Sequence, residues 1–143
     1  MLPEHYIQLA DELLLREFNT NQITVFKTAI ERYYYGSFLM CKDVLMNAIY
    51  PYREKDLLNK NIHSIVKRVF LNSSIPIVAS MLEELKILRN EVEYNPAFTP
   101  TKYEVNLAKS YAYEILSILE ELKEEDYKNL KNTYLSLREI DKV

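Results

Sequence analysis

The stretch FKTAIERYYYGSFLMCKDVLMNA, Phe26 to Ala48, decides the fold. Phe26, Ile30, Tyr33, Ser37, Cys41, Val44 and Ala48 recur at three-to-four spacing, the period of a helix rather than of a strand. The same stretch holds the single glycine of the chain, Gly36. Tight hairpins draw on glycine for positive φ, so 143 residues with one glycine must join their elements in another way. Helices linked by Asn, Asp, Ser and Pro loops do so. Inside a helix Gly36 costs about 1 kcal/mol relative to alanine, and the packing reading is that it marks a close helix contact.

Outward from this helix the pattern repeats. Upstream, Tyr6, Ala10, Leu13, Leu14 and Phe18 form a first amphipathic stripe, ended by the polar break NTNQ. Downstream, the long helix stops near Pro51 and YPYREKD is a loop. A third helix is expected from about Leu57 to Leu71, burying Leu58, Ile62, Ile65, Val66, Val69 and Phe70. NSS then offers N-cap candidates, and Pro76 suits the first turn of a fourth helix burying Val78, Met81, Leu82, Leu85, Leu88 and Val92. Asn95 precedes a proline and is pushed toward extended backbone, so that helix ends near Tyr94. Thr101 and Glu104 read as a capping box. Beyond it a stripe runs through Tyr103, Leu107, Tyr111, Ile115, Leu119 and Leu122, then Tyr127, Leu130, Tyr134 and Leu137. A helix of more than about 25 residues is unusual, which favours two helices meeting near Lys123 to Asp126. The expected fold is all-α: one domain over residues 1–143, an antiparallel up-and-down bundle of about five to six helices.

Composition excludes several function classes. A net charge of −3 and a pI near 5.5 argue against wholesale electrostatic binding of nucleic acid. The interval Lys42 to Arg68 is locally basic: Lys42, Arg53, Lys55, Lys60, Lys67 and Arg68 stand against Asp43, Glu54 and Asp56. Such an interval is usually a solvated face, and a nucleic-acid surface is the minority reading. No apolar run approaches the roughly 20 residues of a membrane span, and the first residues lack a signal-peptide layout, so a cytoplasmic location is expected. A lone Cys41 on the apolar stripe reads as core. His5 and His63 are far apart in sequence, which leaves no zinc motif and no base linked to a nucleophile. No phosphate loop exists without glycines. No cofactor or metal is implied.

The polar stretch is LKILRNEVEYNP, Leu85 to Pro96, where a core helix ends in Arg89, Asn90, Glu93 and Tyr94. Arg89 and Glu93 stand four apart, the spacing of an intrahelical ion pair worth a few tenths of a kcal/mol. The other reading turns Arg89, Asn90 and Tyr94 toward a ligand or a partner subunit.

Three segments carry a family resemblance. ERYYYGSFLMCKDVL, Glu31 to Leu45, resembles the second-helix signature of the HEPN superfamily (higher eukaryotes and prokaryotes nucleotide-binding domain) through Arg32, Tyr34, Tyr35, Gly36 and Phe38. NKNIHSIVKRVF resembles the third-helix region, with His63 ahead of the apolar stripe. LRNEVEYNP falls where the family carries an arginine, a polar residue and, four to six positions on, a histidine. Arg89 and Asn90 match. The histidine does not, since Tyr94, Asn95 and Pro96 occupy its possible positions.

For catalytic members, the resemblance implies metal-independent RNA cleavage in a cleft between paired subunits. The arginine holds the phosphate and the histidine moves protons, a task its pKa near 6.5 suits and that of tyrosine, near 10, does not. The expectation is an RNA- or nucleotide-binding domain of a toxin–antitoxin-type module with a small nucleotidyltransferase partner, its endoribonuclease activity weak or lost. Arg89, Asn90 and Tyr94 are the candidate site. The other class is a helical dimerisation or adaptor module that keeps the motif for structure alone. A homodimer is expected as well, because stripes this extensive leave more apolar surface than a monomer tolerates. Light scattering at micromolar concentration should report a dimer; a 17.0 kDa species alone would exclude it.

Overall fold

The computed structural model describes residues 2–15, 22–57 and 61–141, and these build an all-α bundle. Its helices are α1 (Pro3–Leu15), α2 (Gln22–Ala48), α3 (Ile62–Leu71), α4 (Pro76–Tyr94), α5 (Lys102–Glu120) and α6 (Glu124–Asp141), with a 3-10 turn at Glu54–Asp56. The expected Phe18, Leu58 and Lys60 lie outside the described residues.

Helix α2 is the axis. It touches each of the other five helices, and its buried residues reach almost around its circumference: Ala29, Ile30, Tyr33, Tyr34, Phe38, Met40, Cys41 and Leu45 among them. A helix apolar on most sides belongs inside, and 27 residues give it a length of roughly 40 Å, enough to contact every neighbour. Its one buried polar side chain, Ser37, donates to the Tyr33 carbonyl at 2.7 Å and leaves no unpaired hydroxyl. Cys41 is fully buried, and burial pushes its thiol far up, as suits a core residue.

Helix α1 lies directly on α2 at Gly36. A Cβ there would meet Ile7 Cγ1 and Tyr6 Cβ at 3.0 Å and the Pro3 carbonyl oxygen at 3.1 Å. The glycine is therefore a packing residue, and Ile7 with Ala10, not Tyr6, is the buried part of α1. One turn on, Asp11 accepts hydrogen bonds from the hydroxyls of Tyr33 on α2 and Tyr113 on α5. Lys109 stands 3.6 Å away. Three helices are tied through one carboxylate. The bond to Asp11 pushes the Tyr113 phenol up to about 12, so it stays a donor at any ordinary pH.

Several boundaries follow the local chemistry. α4 spans Pro76 to Tyr94 and α5 opens on the capping box, with Thr101 N–H donating to Glu104 Oε2 at 2.8 Å. The C-terminal stripe is two helices, because Asp126 Oδ2 accepts the Lys123 N–H at 2.9 Å and starts α6 afresh. Other boundaries differ from expectation. α3 begins at Ile62, not Leu57, since the Asn61 side chain caps it by accepting from the Ser64 N–H at 3.3 Å. NSS does not cap α4. Ile75 holds the N-cap position without a side-chain bond, while Ser73 Oγ donates to the Phe70 carbonyl at the end of α3. Tyr103 is 72% exposed, and Val105, Ala108 and Ala112 carry the buried face of α5 there.

Loop 49–57 is fastened to α6. Arg138 lies over the Tyr52 ring at 4.7 Å and donates to the Asp56 carbonyl at 3.0 Å, and Lys131 Nζ donates to the Tyr50 carbonyl at 2.8 Å.

Gly36→Ala sets the helix-propensity gain of about 1 kcal/mol against overpacking of about 1–3 kcal/mol. Two of the three obstructing atoms are a backbone oxygen and a Cβ, which cannot swing away. Net destabilisation of about 1 kcal/mol is expected, and more for Gly36→Val, read as a lower urea midpoint. An unchanged midpoint for both would show that α1 shifts freely.

Candidate functional site

Two faces meet beside the core. On α2, Arg32, Tyr34, Tyr35 and Phe38 follow one another within two turns; on α4, Lys86, Arg89 and Glu93 share a face at three-to-four spacing. Between them opens a groove of about 480 Å³, lined by Thr28, Glu31, Arg32, Tyr34 and Tyr35 of α2, Arg89 and Glu93 of α4, and Tyr6 of α1. That volume is in the range of small-ligand sites.

Arg89 is held from two sides. Its Nη2 is 2.7 Å from Glu93 Oε2, and its guanidinium carbon lies 5.7 Å from the centre of the Tyr34 ring. The ion-pair reading of this stretch is thus realised, and the same arginine also lines the groove. Both side chains are about a third exposed, so the pair contributes only about 0.3–0.5 kcal/mol. Arg32 is different. Its Nε is buried and has no hydrogen-bond partner among the described residues. A buried guanidinium N–H without an acceptor costs free energy until an acceptor arrives.

The wall behind the groove is an aromatic stack. Tyr34 is 4% exposed, and its hydroxyl stands 3.1 Å from Nδ1 of His63 on α3. The His63 ring stacks on Phe38 with centroids 3.9 Å apart and planes at 13°. Burial holds the Tyr34 phenol above its ordinary range, against the opposite pull of Arg89. It therefore remains protonated at neutral pH. His63 is pushed the other way, first by partial burial and then by Lys86, Arg89 and Lys42, which disfavour another positive charge.

Of the three residues read as a site, only Arg89 lines the groove. Asn90 is half-buried on α4. Tyr94 is 71% exposed, on the last turn. The helix stays wound through Tyr94, so five residues place it about 140° around the axis from Arg89. Unwinding begins only at Asn95, which is extended (φ −117, ψ 95), donates to Glu91 Oε2 at 2.9 Å and accepts from the Ala97 N–H at 3.1 Å. Within one chain Arg89 and Tyr94 do not converge. What the reading passed over is Arg32 as a groove-lining residue and the Tyr34–His63 contact. The signal for both lay in the three resembling segments, which meet in space at this one place.

Among the described residues no three His, Cys, Asp or Glu side chains cluster as metal ligands, and no helix is long and apolar enough to cross a membrane. No protein-family model matches the chain, and neither a curated protein nor a solved structure shows significant similarity to it.

His63 makes a measurable pH signature. With its folded pKa below the unfolded value near 6.5, the unfolded chain binds more protons in mild acid. The stability tied to neutral His63 is complete above that value and is lost as pH falls through the folded one. Urea midpoints at pH 7 and pH 5 should therefore differ more for the wild type than for His63→Gln. Equal differences would place His63 in an unperturbed setting.

Proposed function

We propose that this chain is a HEPN-like domain that binds RNA or a nucleotide through the α2–α4 groove, with ribonuclease activity weak or lost. The observation that carries the reading is the pairing of Arg32 and Arg89 in one groove, the first with a buried N–H that lacks an acceptor. Phosphate oxygens suit such a fork, since charge-assisted bonds to guanidinium are among the strongest available. Tyr35, 44% exposed at the edge, offers a ring on which a base can stack. Glu31 and Glu93 offset the charge of the two arginines. Affinity is therefore modest, and the ligand's phosphate must displace Glu93 from Arg89.

Cleavage would need a group that exchanges protons near neutral pH beside Arg89. Tyr94 does not supply one within the same chain, and His63 does not line the groove: its Nδ1 faces the Tyr34 hydroxyl and its ring stacks on Phe38, which favours binding without efficient cutting. Arg89, Asn90 and Tyr94 can share a ligand only across a homodimer, with a second copy providing the distant member. A small nucleotidyltransferase is the partner class that the family resemblance suggests.

A second reading, a helical adaptor module, is favoured by one feature. Ile87 and Tyr94, seven residues apart and so on one side of α4, are 49% and 71% exposed, and a partner helix would find apolar purchase there.

Fluorescence polarisation with a labelled single-stranded RNA distinguishes the readings. Arg32→Ala and Arg89→Ala should each weaken binding by about 10- to 100-fold, the loss of one charge-assisted contact, with the fold retained by circular dichroism and, for the partly exposed Arg89, the melting temperature nearly unchanged. Metal-free cleavage by the wild type should be weak or undetectable. RNA binding indifferent to both substitutions would leave the adaptor reading standing.

A further inference from the structure

A pocket of about 160 Å³ opens where the first turn of α1 meets α2 and the C-terminal end of α5. Its floor is apolar: Met40 and Val44 from α2, Leu116 and Leu119 from α5. Met40 and Leu119 belong to the core, whereas Val44 and Leu116 are only partly covered by it. A cavity of roughly 150 Å³ holds a benzene ring, so this pocket accepts one large apolar side chain.

The rim is acidic. Each of the three helices contributes one exposed carboxylate, Glu4 from α1, Asp43 from α2 and Glu120 from α5. None of the three has an ion pair or a side-chain hydrogen bond among the described residues. The chain continues from Glu120 into the turn EELKEED, residues 120–126, where five carboxylates stand against Lys123. Only two of those five are engaged, Glu124 with Lys128 at 3.7 Å and Asp126 with the Lys123 N–H at 2.9 Å.

This pairing of an apolar floor with an acidic rim narrows the occupant. The carboxylates do not converge on one point: among the described residues no three form a metal-ligand group. Each therefore suits a separate cationic side chain. Nucleic acid and anionic lipid are repelled by the rim, and a second copy of a chain with net charge −3 brings like charge to it.

We infer that this pocket is the docking site for a basic segment of another protein, with one bulky apolar side chain seated on Met40, Val44, Leu116 and Leu119 and Lys or Arg residues on either side of it meeting the rim. The buried anchor carries the affinity; the rim charges carry the encounter rate and the choice of partner. The site shares no residue with the α2–α4 groove, so it stands or falls independently of that reading.

The test uses fluorescence polarisation of the full chain with two labelled synthetic peptides of lysine and alanine, one with a central phenylalanine and one with serine in its place. The phenylalanine peptide should bind at least about tenfold tighter than its serine counterpart and weaken as salt rises. Asp43→Lys combined with Glu120→Lys, both at exposed positions and checked by circular dichroism, should weaken it by about tenfold. The Met40 methyl resonance should shift on its addition. Equal affinity for the two peptides, indifference to the charge reversal, or no binding of either would overturn the inference. So would retention of the wild type on phosphatidylserine vesicles, or a dimer in sedimentation that the double substitution dissociates, which would assign this face to a membrane or to a second copy.

Discussion

A helix that touches five others can offer water only what its neighbours leave uncovered. α2 is in that position, and the rest of the molecule is arranged around the consequence. Its apolar side chains are taken up by α1, α4, α5 and α6, and the close seat of α1 exists because Gly36 presents no Cβ to Pro3, Tyr6 and Ile7. Polar residues on such a helix must be satisfied within it, as Ser37 is, or gather at the remaining openings. Arg32 lies at one of them.

The groove is electrostatically restrained rather than strongly basic. Two arginines share it with two glutamates, and Arg89 is already bonded to Glu93. Long-range attraction of nucleic acid is accordingly slight in a chain with net charge −3, and any ligand is selected by local geometry. Tyr34 is central to that geometry. It is buried in the core, carries Arg89 over its face and holds His63 at its hydroxyl, so a change in core packing reaches the cations directly.

Asp11 performs the corresponding task for α1. One carboxylate receives hydroxyls from α2 and α5, which fixes the rotation of α1 about its own axis and keeps Ile7 and Ala10 inward. The first stripe placed Tyr6 inside instead. Nothing local separates Tyr6 from Ile7 as the core residue; the contact at Gly36 does.

Much of this was legible in the residues themselves. Helical period, the scarcity of glycine, Pro51, Asn95-Pro96 and the Thr101–Glu104 box act through neighbours within a turn or two, so they set helix count, the ends of α2 and α4 and the start of α5 regardless of the rest. The start of α3 was missed because the Asn61 side chain competes with a smooth apolar pattern, and NSS misled because Ser73 Oγ bridges the Phe70 carbonyl and the Ile75 N–H rather than an N–H of the first turn of α4. Of the candidate groove, the residues were legible as separate segments and not as a place, and of Arg89, Asn90 and Tyr94 only Arg89 lines it. Arg32, His63 and Arg89 lie on three different helices, and which of their faces meet depends on interhelical packing that no spacing records. Tyr94 shows the reverse: adjacent to Arg89 in sequence, it is carried around the helix and away from it by a backbone that stays wound to its last turn.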